Sequence, residues 1–210
     1  VRGASWVSDA IYGINDGLGA VFGIVSGMAG YTGGSQIVLI TGLAGTVASA
    51  LSMGSSAYLA AKSQREVYEG EIARERAEIA QNPEEEREEL ELFYQLKGFT
   101  EEESRTLVAR IRERPEHFLN TLVQEELGLS ETPFPNPWTA CLSATVSTAV
   151  GGLIPVAPFF FTRGMPAVVW AAGLSVVAHF AVGIAKSFVT TRPWWLSGLE
   201  MTLVAVIAGA

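Results

Sequence analysis

Charge is confined to one part of this chain. Residues 62–131 hold nineteen of its twenty-two acidic residues and ten of its fourteen basic ones. The flanking sequence is almost uncharged and falls into long apolar runs. A helix needs about 20 apolar residues to cross the hydrocarbon core of a bilayer. Runs 10–31, 37–61, 139–161, 166–185 and 194–210 meet or approach that length, the last with 17 residues before the chain stops. Only closed barrels and helices satisfy every backbone polar group in lipid, and runs of this length read as helices. The pattern predicts an all-α membrane protein with five transmembrane helices and a helical insert between the second and third. Segment 1–61 carries spans one and two, 62–131 the acidic insert, and 132–210 a linker and spans three to five.

The net charge of −8 belongs to the insert, where ten basic residues face nineteen acidic ones. An acidic module beside near-neutral spans argues against nucleic acid as a partner. Cys141 is the only cysteine, which excludes an intrachain disulfide. The N-terminal run lacks a basic stretch followed by a small-residue cleavage site, and Asp9 and Asp16 interrupt it, so no cleaved leader is expected. With the N-terminus in the cytosol, thirteen basic residues lie inside and only Arg163 lies outside. The short connections 32–36 and 162–165 then become tight hairpins on the outer side.

Within the insert, helix signals follow one another closely. Span two runs on past the membrane, with Val67, Tyr68, Ile72 and Ile79 as a loose apolar stripe, until Asn82-Pro83 stops it. Segment 84–97 restarts with acidic residues in its first turn, favourable against the helix dipole. Its apolar set is Leu90, Phe93, Tyr94 and Leu96, and Gly98 is placed to cap it. Thr100 with Glu103 spells a capping box, followed by Leu107, Val108 and Ile111 as a buried face. Pro115 opens a last helix with Phe118, Leu119, Leu122 and Val123 at helical spacing, and Gly128 ends it. The proline-rich segment 130–137 leads back to the membrane.

The chemistry lies in carboxylates at two levels. Glu71, Glu75 and Glu78 share a face of the first insert helix, Glu86 and Glu89 share one on the second, and Glu125 and Glu126 close the last. Like charges at this spacing cost roughly 0.2–0.5 kcal/mol per pair, a repulsion that a divalent cation removes. The alternative is a solvated face, which Arg74–Glu78 and Arg87–Glu91 at i, i+4 would support. In the spans, Asp16 costs about 2.5–3.5 kcal/mol on insertion scales and so should face a cavity or a partner. Asp9 lies on the same face, and Met53 offers a soft thioether. Met53 as simple packing remains open. His179 reads as a bundle histidine, and Glu200 as a packing or proton-relay group. Gly13 and Gly17, and Gly19, Gly23 and Gly27, repeat at four-residue spacing. Such repeats serve close packing within one bundle or the seam of a homodimer.

These residues resemble a known family. Asn15-Asp16-Gly17-Leu18 is similar to its S-D-G-L signature, and Ser52-Met53-Gly54 with Tyr58-Leu59-Ala60-Ala61-Lys62-Ser63 to its S-M-G…Y-L-A-A-K-S signature. Glu126-Leu127-Gly128-Leu129 and Leu153-Ile154-Pro155 with Pro158 resemble further motifs in the same order. Together they resemble the vacuolar iron transporter family. That resemblance implies five transmembrane helices per subunit, a homodimer, and Fe(II) moved out of the cytosol in exchange for protons. It implies Asp16 and Met53 as transport-pathway residues, and Glu75, Glu78, Glu86, Glu89 and Glu126 as metal ligands of a cytoplasmic module. Leu122 and Val123 stand where plant members carry adjacent methionines, and Gly45 stands where they carry a second-span glutamate.

The expected function is therefore a ferrous iron/proton antiporter in a bacterial inner membrane or a vacuolar membrane, with no enzymatic activity. Mn(II), Co(II) and Zn(II) are further candidate substrates. The other readings are a membrane-anchored metal buffer that does not transport, and a manganese exporter.

Overall fold

The computed structural model describes residues 4–32, 36–126, 128, 136–190 and 192–209, without the side chains of 4–8, 189, 208 and 209. Among these residues it is all helix: α1 (Ala4–Thr32), α2 (Gln36–Gln81), α3 (Pro83–Leu96), α4 (Glu101–Arg112), α5 (Pro115–Glu126), α6 (Pro137–Val156), α7 (Met165–Thr190) and α8 (Trp194–Gly209). A 3-10 turn, Ala157–Phe160, extends α6. Among the described residues three helical segments are long and apolar enough to cross a membrane, namely Gln36–Gln81, Pro137–Phe160 and Met165–Phe188, while Trp194–Ile207 is apolar but shorter. Helix α1 has the length but not the hydropathy, because Asn15, Asp16 and its glycines dilute its apolar residues. The chain divides into two compact units, Val1–Lys62 with Pro135–Ala210, and Ser63–Phe134.

In the first unit, backbones approach closely where side chains are missing. A Cβ on Gly17 would lie 2.2 Å from the Thr148 carbonyl oxygen, and one on Gly151 2.4 Å from the Ile14 carbonyl oxygen. Helices α1 and α6 are therefore in backbone contact, the arrangement small residues allow in lipid. Val21, Val25, Ala29, Val38, Val156, Phe159, Ala167 and Ala171 form the apolar core beside this seam. Gly42 admits Val25 and Val156, and Gly183 admits the backbone of Ser197 and Gly198. Tyr58 and Trp138, with ring centroids 4.9 Å apart, join α2 to the start of α6.

The second unit is a small helical module around Leu90, Val108, Phe118 and Leu122, with Ile79, Tyr94 and Ile111 packed against them. Burying a side chain of this size contributes about 1.5–3 kcal/mol. Asn82 and Pro83 separate α2 from α3, and Gly98 turns the chain with φ +99°. Thr100 caps α4, its hydroxyl accepting from the Glu103 N–H while the Glu103 carboxylate accepts from the Thr100 N–H. Leu96 is not part of the core: at the last position of α3 it is 84% exposed. Val67 is exposed too, so the stripe on α2 begins at Tyr68. Residues 33–35 of the first hairpin and 130–135 of the return linker lie outside the described residues. Residue 136 caps α6 and Pro137 is its first residue.

Candidate metal sites

In the insert, Glu75 is the residue that the amino-acid pattern makes costly. The second half of α2 turns it into the module interior, where it is fully buried. Neither carboxylate oxygen has a hydrogen-bond donor. Instead it faces other acids: Glu126 of α5, Glu86 of α3 and Glu78 one turn along α2. Burial, then the adjoining Glu126, Glu86 and Glu78, push its carboxyl up to about 8. Glu86, 7% exposed, is raised by burial and by Glu89, Glu78 and Glu126. Glu89 is raised by burial and by Glu126, Glu78 and Glu85. All five glutamates implied as ligands thus meet in one electrostatic neighbourhood. Glu126 itself is exposed, and Glu78 and Glu89 are half-buried, so the group opens to water on one side.

Apart from Arg74, the basic residues that form ion pairs in the module form them with acids outside this group. Arg87 and Arg105 neutralise the equally buried Glu91, Arg112 pairs with Glu84, Lys97 with Glu125 and Arg76 with Glu116. Arg74 sits 2.8 Å from Glu71 and 3.8 Å from Glu78. Among the described residues no cation lies within 4.0 Å of Glu75, Glu86, Glu89 or Glu126. A solvated helix face does not bury a carboxylate such as Glu75 without donors or counter-charges, because such burial costs several kcal/mol. A divalent cation supplies both the charge and the bonds. The acids do not yet form a cage: no three His, Cys, Asp or Glu side chains among the described residues are arranged to hold an ion. Leu122 and Val123 are buried, Leu122 at the centre of the apolar cluster.

In the first unit, Asp16 and Met53 line one cleft of about 430 Å³. Asp9, Tyr12, Asn15 and Ser56 supply its other polar groups, and three alanines close its wall. Ser49 of α2 donates to the Asp16 carboxylate at 2.5 Å. One turn earlier Gly45 offers no side chain, and Ile24 fills the space a Cβ would occupy. Asp9 was placed on the Asp16 face by its spacing, but Ser49 and Tyr12 were not singled out by sequence reasoning. The available signal was Ser49 lying four residues before Met53, hence on the same helix face. His179 is buried, with Nδ1 2.7 Å from the Ser175 carbonyl oxygen, as a packed bundle histidine would be. Glu200 lies between Lys186 at 3.7 Å and Arg192 at 3.6 Å, so it is an ion-paired group.

The sequence profile of the VIT family matches residues 7–210. Vacuolar iron transporter 1 of Eucalyptus grandis is 35% identical over 208 residues, spanning 97% of this chain and 82% of its own. The protein of the same name from Arabidopsis thaliana has the same identity and coverage. This chain belongs to the VIT family. A more distant relative, Protein CCC1 of Saccharomyces cerevisiae, is 27% identical over 97% of this chain and 66% of its own. The plant relatives of this VIT family member are named as transporters and not as enzymes, in line with the absence of catalysis expected for the chain. Its two glycine repeats also separate. Gly13 and Gly17 are filled by α6 of the same chain, whereas nothing lies within 4 Å of a Cβ on Gly19, Gly23 or Gly27.

Proposed function

We propose that this chain is a ferrous iron/proton antiporter that exports divalent metal from the cytosol. It would act as a homodimer of five-span subunits, with residues 62–131 on the cytoplasmic side. The observation that carries the reading is the cleft in which Asp16 and Met53 face the same space inside the apolar unit. A buffering protein has no use for ligands at that level. An antiporter needs them, because a carboxylate holds a proton and a metal ion in alternation while a thioether binds only the metal. The plant relatives are named for iron, and that name supports Fe(II) as the substrate of this chain.

In this reading the acids around Glu75 collect the cation from the cytosol and the Asp16–Met53 level passes it across. The homodimer is supported by the open stripe of Gly19, Gly23 and Gly27, where no atom of the described residues lies within 4 Å of an added Cβ. Purified protein in sealed liposomes tests the reading with Fe(II), Mn(II), Co(II) and Zn(II) compared side by side. Uptake against a metal gradient, driven by protons, is expected with Fe(II). Metal binding without flux would leave a membrane-anchored buffer, and flux of Mn(II) alone would make the chain a manganese exporter.

A further inference from the structure

We infer that Ser49 is a positioning residue that sets how Asp16 meets the metal, and through it which metals the cleft prefers. The inference rests on the proposed transport function. Ser49 and Met53 are one turn apart on α2, and Asp16 of α1 meets that face. The Ser49 hydroxyl donates to Asp16 Oδ2 across 2.5 Å. A hydroxyl has one proton to give, and here it is given to the carboxylate.

Two consequences follow from the geometry. With Oδ2 held by Ser49, Asp16 presents mainly Oδ1 to the cleft. It then acts as a one-oxygen ligand, and the soft Met53 sulfur carries a larger share of the coordination. Second, α2 offers no replacement nearby. The preceding turn on that face is Gly45, closed over by Ile24, so the level has no second carboxylate from α2. Removing the Ser49 hydroxyl frees Asp16 to chelate with both oxygens. A chelating carboxylate favours harder ions, so Mn(II) should gain on the softer Co(II).

The test is flux in liposomes with Co(II) and Mn(II) under the same proton gradient, comparing the unmodified chain with Ser49→Ala and Ser49→Thr. In Ser49→Ala the ratio of KM for Co(II) to KM for Mn(II) should rise by about tenfold, the scale of one hydrogen bond to a charged group. Ser49→Thr keeps the hydroxyl and should hold the ratio within about twofold of the starting value. A purely structural role would lower both fluxes together and leave the ratio unchanged, which would overturn the inference, as would failure of Ser49→Thr to preserve it. If Ser49→Ala does not purify as a folded protein, Ser49→Val, the isostere of the threonine variant without its hydroxyl, is read in the same way. An unmodified chain that moves Fe(II) but neither of these ions would overturn the inference, whereas one that moves none of the three would refute the transport reading itself.

Discussion

Glu75→Gln is the substitution whose effect the structure makes most specific. The wild-type carboxyl is pushed up to about 8 by burial and by Glu126, Glu86 and Glu78. Its ordinary value is 4.5. The folded module therefore binds this proton more tightly than the unfolded chain does. The stability it contributes is complete below the unfolded value and is lost as pH rises through the folded one. One pH unit corresponds to 1.36 kcal/mol, so between pH 6 and 8 the metal-free module loses about 2 kcal/mol, or a factor of roughly thirty in its opening equilibrium. Glu86 and Glu89 are raised too and add in the same direction. Glu84 and Glu103 are lowered by their hydrogen bonds, and act only under more acidic conditions. Glutamine removes the buried charge and brings a donor for the neighbouring acids. Its pH dependence should be much flatter, and it should be the more stable form at pH 8 without metal. Tryptophan fluorescence is blind here, because all five tryptophans lie in the other unit. Hydrogen exchange of α3 and α5 amides in the detergent-solubilised chain, corrected for intrinsic rates, reads the module directly. Adding Mn(II) at pH 8 should restore protection in the wild type and not in Glu75→Gln. Wild-type protection independent of pH, or an equal slope in the variant, would refute the reasoning.

Gly17→Ala places a methyl 2.2 Å from one backbone atom of α6 and 2.7 Å from another. Backbone cannot step aside, so a loss of about 1–3 kcal/mol is expected in thermal unfolding, whereas Gly23→Ala should stay within about 0.5 kcal/mol. Gly23→Leu should instead shift the oligomer toward monomer in light scattering, if the open stripe is the dimer seam. Thr100→Ala removes the α4 cap, at a cost of about 1 kcal/mol, and should speed exchange chiefly in the first turn of α4.

Much of the helical layout was legible because its signals are local. Pro83, Gly98, the Thr100–Glu103 box and Pro115 act within one turn, and each marks an observed boundary. Leu96 was misplaced because periodicity assigns a face without saying whether anything packs against its last turn, and there Leu96 is exposed. The amphipathic pattern also picked out Phe118, Leu119, Leu122 and Val123, all buried. What sequence spacing could not supply was the meeting of helices. The spacing of Glu75 and Glu78 is compatible with a solvated face. Burial of Glu75 becomes evident only when α3 and α5 bring Glu86 and Glu126 against it. The hydrogen bond from Ser49 to Asp16 joins residues 33 apart in sequence. The two glycine repeats look alike as text, and only the position of α6 tells the filled one from the open one.

The central claim is that a membrane-level carboxylate exchanges a proton for a metal ion. Asp16→Asn keeps the size of the side chain and can still accept from Ser49, but it cannot exchange a proton. The deciding measurement is Fe(II) flux into sealed liposomes under an imposed pH gradient, with Asp16→Asn and Met53→Leu beside the unmodified chain. The account predicts that Asp16→Asn folds, still binds metal at the insert, and loses pH-driven flux. Met53→Leu should keep proton dependence with weaker and less selective flux. Full pH-driven transport by Asp16→Asn would contradict the account and move the coupling to another residue.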